Sequence, residues 1–115
     1  MPDPQVVVEE EREEPEIASM LTASTGHITR EENETLFPEE AKDPHNIIVY
    51  DLKYGWLLYV SKPSKDHPDW DPTPNLEVLS EGARAIVALA QEHGCLWVKF
   101  DRDGPLYESL PNYSW

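Results

Sequence analysis

Between Leu76 and His93 the apolar residues recur at helical spacing. Placed at about 100° per residue, Leu79, Ala83, Ile86, Val87 and Ala90 fall on one side, with Val78 and Leu89 at its margin. Glu77, Ser80, Glu81, Arg84, Ala88, Gln91 and Glu92 fall opposite. A helix with one apolar stripe must bury it. In a chain of 115 residues, enough for one domain, the natural cover is a sheet of that same domain. Ser80 is the N-cap candidate, with Asn75 as the alternative. Gly94 fits the left-handed position just past the helix. Gly82 lies on the buried side, where a missing side chain admits close approach of a strand.

The rest of the chain supplies that sheet. Ile17 to Thr25 is small, apolar and β-tolerant, and reads as a first strand. Thr29 followed by Glu32 is a capping box opening a short helix over about 30–37, which Pro38 is expected to stop. Asn46 to Asp51 and Trp56 to Ser61 are rich in Ile, Val, Leu and Tyr, and flank the turn Lys53-Tyr54-Gly55, the pattern of a hairpin. Cys95 to Phe100 is a last strand. Pro63, Pro68, Pro72 and Pro74 make 62–74 a long loop, which also carries His67 and Trp70. The order is β-α-β-β-α-β, giving an α+β fold with a four-stranded sheet and two helices. That is the element order of a ferredoxin-like arrangement, with a looser α+β sheet as the alternative. One domain over 17–115 follows an acidic tail over 1–16, and Trp115 is expected to pack back on the domain.

Charge narrows the partners. The chain carries 23 acids against 9 bases, a net −14. Such a surface repels nucleic acid and anionic membranes, and favours a basic host protein or nucleoprotein complex; simple solubility is the other reading. Residues 1–16 hold seven acids and one base, and with Pro2, Pro4 and Pro15 read as disordered apart from Val6-Val7-Val8. A second acid cluster spans 30–43. The candidate partner contacts are Glu9, Glu10, Glu11, Glu13, Glu14, Glu31, Glu32, Glu34, Glu39, Glu40 and Asp43, with Trp70 as an apolar anchor. The single Cys95 forms no internal disulfide. The N-terminus lacks a signal-peptide pattern, and no apolar run reaches the roughly 18–20 residues of a membrane span, so a cytoplasmic protein is expected.

Two motifs invite a chemical reading. In Ser24-Thr25-Gly26-His27-Ile28-Thr29, hydroxyls flank an imidazole. Nucleophilic catalysis would need the base within about 3 Å of a hydroxyl; a capping turn with His27 bonded to backbone groups is the alternative. Asp101-x-Asp103-Gly104 is half of a cation loop, but Pro105 and the early Glu108 break the calcium pattern and leave a turn. His67, Asp69 and Asp71 form no diagnostic metal set, and the five glycines make no phosphate loop. No cofactor, metal or catalytic residue is therefore expected.

The stretch Ser24–Thr29, the hairpin Tyr54-Gly55-Trp56, the strand Gly94-Cys95-Leu96-Trp97 and the ends Phe100–Pro105 and Leu110–Trp115 together resemble a family of small uncharacterised proteins of phages, plasmids and related mobile elements. The resemblance covers 17–115 and brings no established activity with it. It implies a context in which small acidic proteins often counter host defence, as anti-CRISPR and antirestriction proteins do. The expected function is thus binding and inhibition of a nucleic-acid-binding host defence protein, with nucleic-acid mimicry as one route. The alternatives are a protein-binding adaptor that uses Trp70 and the sheet edge, and a small metal-dependent hydrolase centred on His27, Asp101 and Asp103.

Overall fold

In the computed structural model, which describes residues 19–60 and 74–115, four strands form one mixed sheet. They are β1 (Met20–Ser24), β2 (Ile48–Leu52), β3 (Gly55–Tyr59) and β4 (Trp97–Asp101), in the order β1-β4-β3-β2. β1 runs parallel to β4, and β4–β3 and β3–β2 are antiparallel. The expected α+β class and element order are those observed. A ferredoxin-like pairing would put β1 between β3 and β4; here β4 lies between β1 and β3, and β1 is an edge strand. The acidic tail, Val6-Val7-Val8, and nearly all of the proline-rich loop with His67 and Trp70 lie outside the described residues.

The register produces two faces. Leu21, Val98, Leu58 and Val49 stand in one row across the sheet, and Ala23, Phe100 and Trp56 in the next. These rows meet the helices, and the side chains named are buried except Leu21; Asp51, which pairs with Trp56 at the end of the second row, is exposed. α2 (Glu81–Glu92) covers them with Ala83, Ile86, Val87 and Ala90, the stripe read from its periodicity. Ser80 caps it by accepting the Ala83 N–H at 3.2 Å. Asn75 caps a separate short 3₁₀ turn, Leu76–Val78, so both cap candidates are used. Gly94, at φ +75°, ends the helix as expected.

The first helix departs from expectation at Pro38. Helical structure runs over 30–42 without stopping there: a π-helical turn, Glu32–Leu36, leads directly into α1 (Phe37–Lys42). In a continuous α-helix the Pro38 ring would strike the carbonyl four residues back. The wider turn, in which the Phe37 N–H bonds the Glu32 carbonyl, makes Pro38 part of the first turn of a new helical segment, where its missing N–H costs nothing. It also aims Phe37 inward. That ring is fully buried, 5.7 Å from Trp56 and 6.2 Å from Phe100 between centroids, a burial that contributes about 2–3 kcal/mol.

Met20, Trp97, Tyr59 and Ile48, and then Thr22, Lys99, Leu57 and Tyr50, form the rows of the opposite face. Among the described residues no helix is long and apolar enough to cross a membrane.

Gly82, in the first turn of α2, sits where the helix packs closely against the His27 turn and the C-terminal segment. A β-carbon there would overlap the His27 carbonyl oxygen and stand 2.8 Å from a Tyr113 ring carbon and 2.9 Å from the Pro111 carbonyl oxygen. Two of these neighbours are backbone and cannot rotate away. Gly82→Ala is therefore expected to destabilise the domain by about 1–3 kcal/mol, read from the urea midpoint; an unchanged midpoint would mean that this contact is looser than described.

Candidate functional site

The Ser24–Thr29 motif and the C-terminal arm, residues 106–115, are halves of one clamp. Ser24 Oγ accepts the Gly26 N–H at 2.9 Å and starts a 3₁₀ turn, Thr25–His27, which drives the His27 ring into the interior with no exposed surface. Its Nε2 accepts the Tyr107 N–H at 3.0 Å. Its Nδ1 lies 2.7 Å from the Pro111 carbonyl oxygen, so Nδ1 carries the proton and donates it. Tyr107 stacks on the imidazole at 5.9 Å and donates its hydroxyl to the Thr22 carbonyl at 2.8 Å. Further along the C-terminal arm, the Tyr113 N–H reaches the Gly26 carbonyl at 2.7 Å, Tyr113 Oη accepts the Gly82 N–H at 3.0 Å, and Trp115 Nε1 donates to the Ile28 carbonyl at 2.9 Å. The expectation that Trp115 packs back is met at the indole N–H, while 46% of the residue stays exposed. With both ring nitrogens engaged, His27 has no lone pair left in this arrangement for a hydroxyl or a metal.

Asp101 likewise serves its own turn. It accepts the Asp103 N–H at 2.9 Å and sits 3.5 Å from Lys99 Nζ. The Asp103 N–H, with help from Lys99 and Arg102 and against a smaller opposing effect of burial, holds the Asp101 carboxyl below its ordinary value. Among the described residues no group of three or more His, Cys, Asp or Glu side chains is placed to hold a metal ion.

The second acid cluster divides in two. Glu31, Glu34, Glu39 and Asp43 are exposed, with Arg30 4.0 Å from Glu34 and His45 3.1 Å from Asp43. Glu32 and Glu40 were expected beside them as partner contacts, and are instead buried, at 4% and 5% exposure. The reason is backbone donors that nothing else satisfies. Glu32 completes the expected capping box by accepting the Thr29 N–H at 2.8 Å, then reaches across to the next helix start, accepting the Ser80 N–H and hydroxyl, each at 2.7 Å. Glu40 Oε1 accepts three consecutive N–H groups, of His45, Asn46 and Ile47, at 2.9, 2.8 and 3.1 Å. Burial pushes the Glu40 carboxyl up. Those donors outweigh it and hold its pKa below the ordinary 4.5. Glu9, Glu10, Glu11, Glu13, Glu14 and Trp70 lie outside the described residues.

Sequence reasoning missed one feature, a cleft of about 500 Å³ where β1 ends and the β2–β3 turn begins. Its lining includes Asn33, Lys53, Tyr54, Arg102, Tyr113 and Trp115. The Arg102 guanidinium sits 4.3 Å and Lys53 Nζ 5.3 Å from the centre of the Tyr54 ring. The Arg102 N–H also bonds the Tyr54 carbonyl at 2.9 Å, tying the two turns together. Only the adjacency of Lys53 and Tyr54 was visible in the sequence; Arg102 comes from a turn 48 residues further on.

Residues 20–115 match the family described as "Family of unknown function (DUF5983) C-terminal domain". The chain belongs to the DUF5983 family. The span matched contains both halves of the clamp, the buried glutamates and the cleft. No curated protein and no solved structure matches the chain. The resemblance read from the motifs thus holds at the level of a family without an assigned function.

Two variants test the structural roles in this DUF5983 domain. His27→Ala leaves the part-buried Pro111 carbonyl and Tyr107 N–H without their partner, and is expected to cost about 2–4 kcal/mol and to speed amide exchange at Tyr107 and Tyr113. Exchange that speeds up evenly over the whole chain would count against a clamp. Glu40, with its folded pKa depressed, stabilises the fold above its ordinary value, and that contribution is lost as pH falls through the folded one. Glu40→Ala should therefore cost about 2–4 kcal/mol at neutral pH. The gap to the parent protein should narrow between about pH 5 and about pH 3, measured by urea unfolding at each pH.

Proposed function

We propose that this chain is a binding protein that captures a basic surface of a partner protein through acids held on a folded helical segment. The supporting observation is the division of the second acid cluster: Glu32 and Glu40 are engaged by the backbone, and Glu31, Glu34, Glu39 and Asp43 are left exposed on ordered structure. Carboxylates on a fixed backbone keep a defined spacing, which is what imitation of a nucleic acid requires. The acids of 9–14 add charge of the same sign next to the domain in sequence. The specific form of this reading is a cytoplasmic protein of a phage or other mobile element that inhibits a nucleic-acid-binding host defence protein, of the anti-CRISPR or antirestriction kind. The partner is then a basic protein or nucleoprotein complex, bound without direct contact to nucleic acid or membrane.

A second reading, a salt-insensitive adaptor, draws on the face of the sheet turned away from the helices. Tyr50 and Met20 are exposed there at 53% and 49%, beside Trp97, whose ring lies 6.0 Å from that of Tyr50. Apolar and aromatic surface of this kind binds through area rather than charge.

Capture of partners from host lysate by the tagged full chain, washed at low and high salt, separates the two. The charge-driven reading expects a nucleic-acid-binding protein that is released as ionic strength rises and is not captured by the triple variant Glu31→Lys, Glu34→Lys, Glu39→Lys. A partner that survives high salt, binds the triple variant equally and is lost in Tyr50→Ala would replace it with the adaptor.

A further inference from the structure

The cleft at the end of the sheet has no part in the acidic-face reading, and its chemistry opposes the charge of the molecule. The chain carries −14, yet the charged side chains set over Tyr54 are both cations, Lys53 and Arg102. A cation resting on an aromatic face is held in position without being neutralised. Within 4.0 Å, and among the described residues, Arg102 pairs with one carboxylate, Asp103, at 4.0 Å from Nε, and the Asp101 carboxylate lies within its electrostatic reach. Lys53 makes no ion pair within 4.0 Å among the described residues. Asp51 also lines the cleft beside the two cations.

The lining also includes the aromatic side chains of Tyr113 and Trp115. Trp115 is fixed by its edge, the indole N–H bonding the Ile28 carbonyl, and nearly half of the residue remains uncovered. Tyr113 lies beside it, anchored through its hydroxyl to Gly82. Asn33, whose Oδ1 accepts the Trp56 indole N–H at 2.9 Å, adds a polar group to the wall. A volume of about 500 Å³ lies within the range of small-molecule sites.

The geometry points to a binding site for a small planar anion, an aromatic ring that carries a phosphate or carboxylate, with the ring against Trp115 and the anion on Lys53 and Arg102. A guanidinium fork suits an oxyanion, and Lys53 adds a second charge to it. The net charge sets the size of the ligand. A long polyanion meets the field of the whole acidic chain, whereas a single anion inside the cleft meets mainly the charges within about 8 Å.

The test uses the full-length protein labelled with ¹⁵N, with phenyl phosphate and adenosine monophosphate as probes. The ring-less match is inorganic phosphate and the charge-less match is adenosine. Saturable shifts are expected at the Trp115 indole N–H, assigned through Trp115→Phe, and at the Lys53 and Arg102 amides. Each probe should bind about tenfold more tightly than its matches. The double variant Lys53→Gln, Arg102→Gln should weaken binding at least about tenfold with unchanged far-ultraviolet circular dichroism, and Asp51→Asn should tighten it. Absence of saturable shifts with both probes at about 10 mM, equal binding of inorganic phosphate, or undiminished binding by the double variant would each overturn the assignment. Loss of partner capture in the Glu31, Glu34, Glu39 variant does not bear on it, because none of those residues lines the cleft.

Discussion

The buried imidazole of His27 is the point on which the remaining contacts converge. A polar ring with no exposed surface is tolerable only if each nitrogen has a partner. Here both partners are backbone groups of the C-terminal arm. That arm is not a strand and has no ladder of its own, so its position depends on scattered bonds to Gly26, Ile28, Thr22 and Gly82. Gly82 closes the circle. Because it has no side chain, the start of α2 can sit directly against the His27 carbonyl and the arm. The first strand, the second helix and the chain end are thereby locked to one another, and the wall of the cleft that holds Tyr113 and Trp115 is built by the same lock.

Buried carboxylates perform the corresponding task for the helices. A helix start presents N–H groups that its own turns cannot satisfy. Glu32 satisfies donors at two such starts at once, its own at Thr29 and that of α2 at Ser80. Glu40 gathers three consecutive N–H groups of the segment that leads into β2. In an acidic chain it is natural to assign every glutamate to the surface. These two show that some of the charge is structural, and that the acids open to a partner are fewer than the composition indicates.

Much of the fold was legible because its signals are local. The periodicity of α2, its Ser80 cap and its Gly94 stop each depend on neighbours within a turn or two, as do the Thr29–Glu32 capping box and the β2–β3 hairpin. Pro38 shows where a local rule falls short. The ring excludes an ordinary α-helical turn before it, but not a wider π turn, and the burial of Phe37 against Trp56 and Phe100 rewards the wider one. Of the candidate site, the exposed acids and the adjacent Lys53 and Tyr54 could be read directly. The burial of Glu32 and Glu40, the meeting of Arg102 with Tyr54 and the cleft itself could not, because each joins segments whose relative placement is set by the sheet.

By itself the sequence determined the elements, their order, the α+β class and the strongly acidic balance, since these follow from side-chain periodicity, capping, turn chemistry and charge. The tertiary structure alone decided that β1 pairs in parallel with β4 at the edge of the sheet. It also decided that His27 is a structural hub rather than an exposed base, and that two cations gather over one tyrosine. These outcomes depend on contacts between residues 48 to 84 positions apart. At such separations no local pattern fixes the geometry, and the winning arrangement is the one that leaves the fewest buried polar groups without a partner.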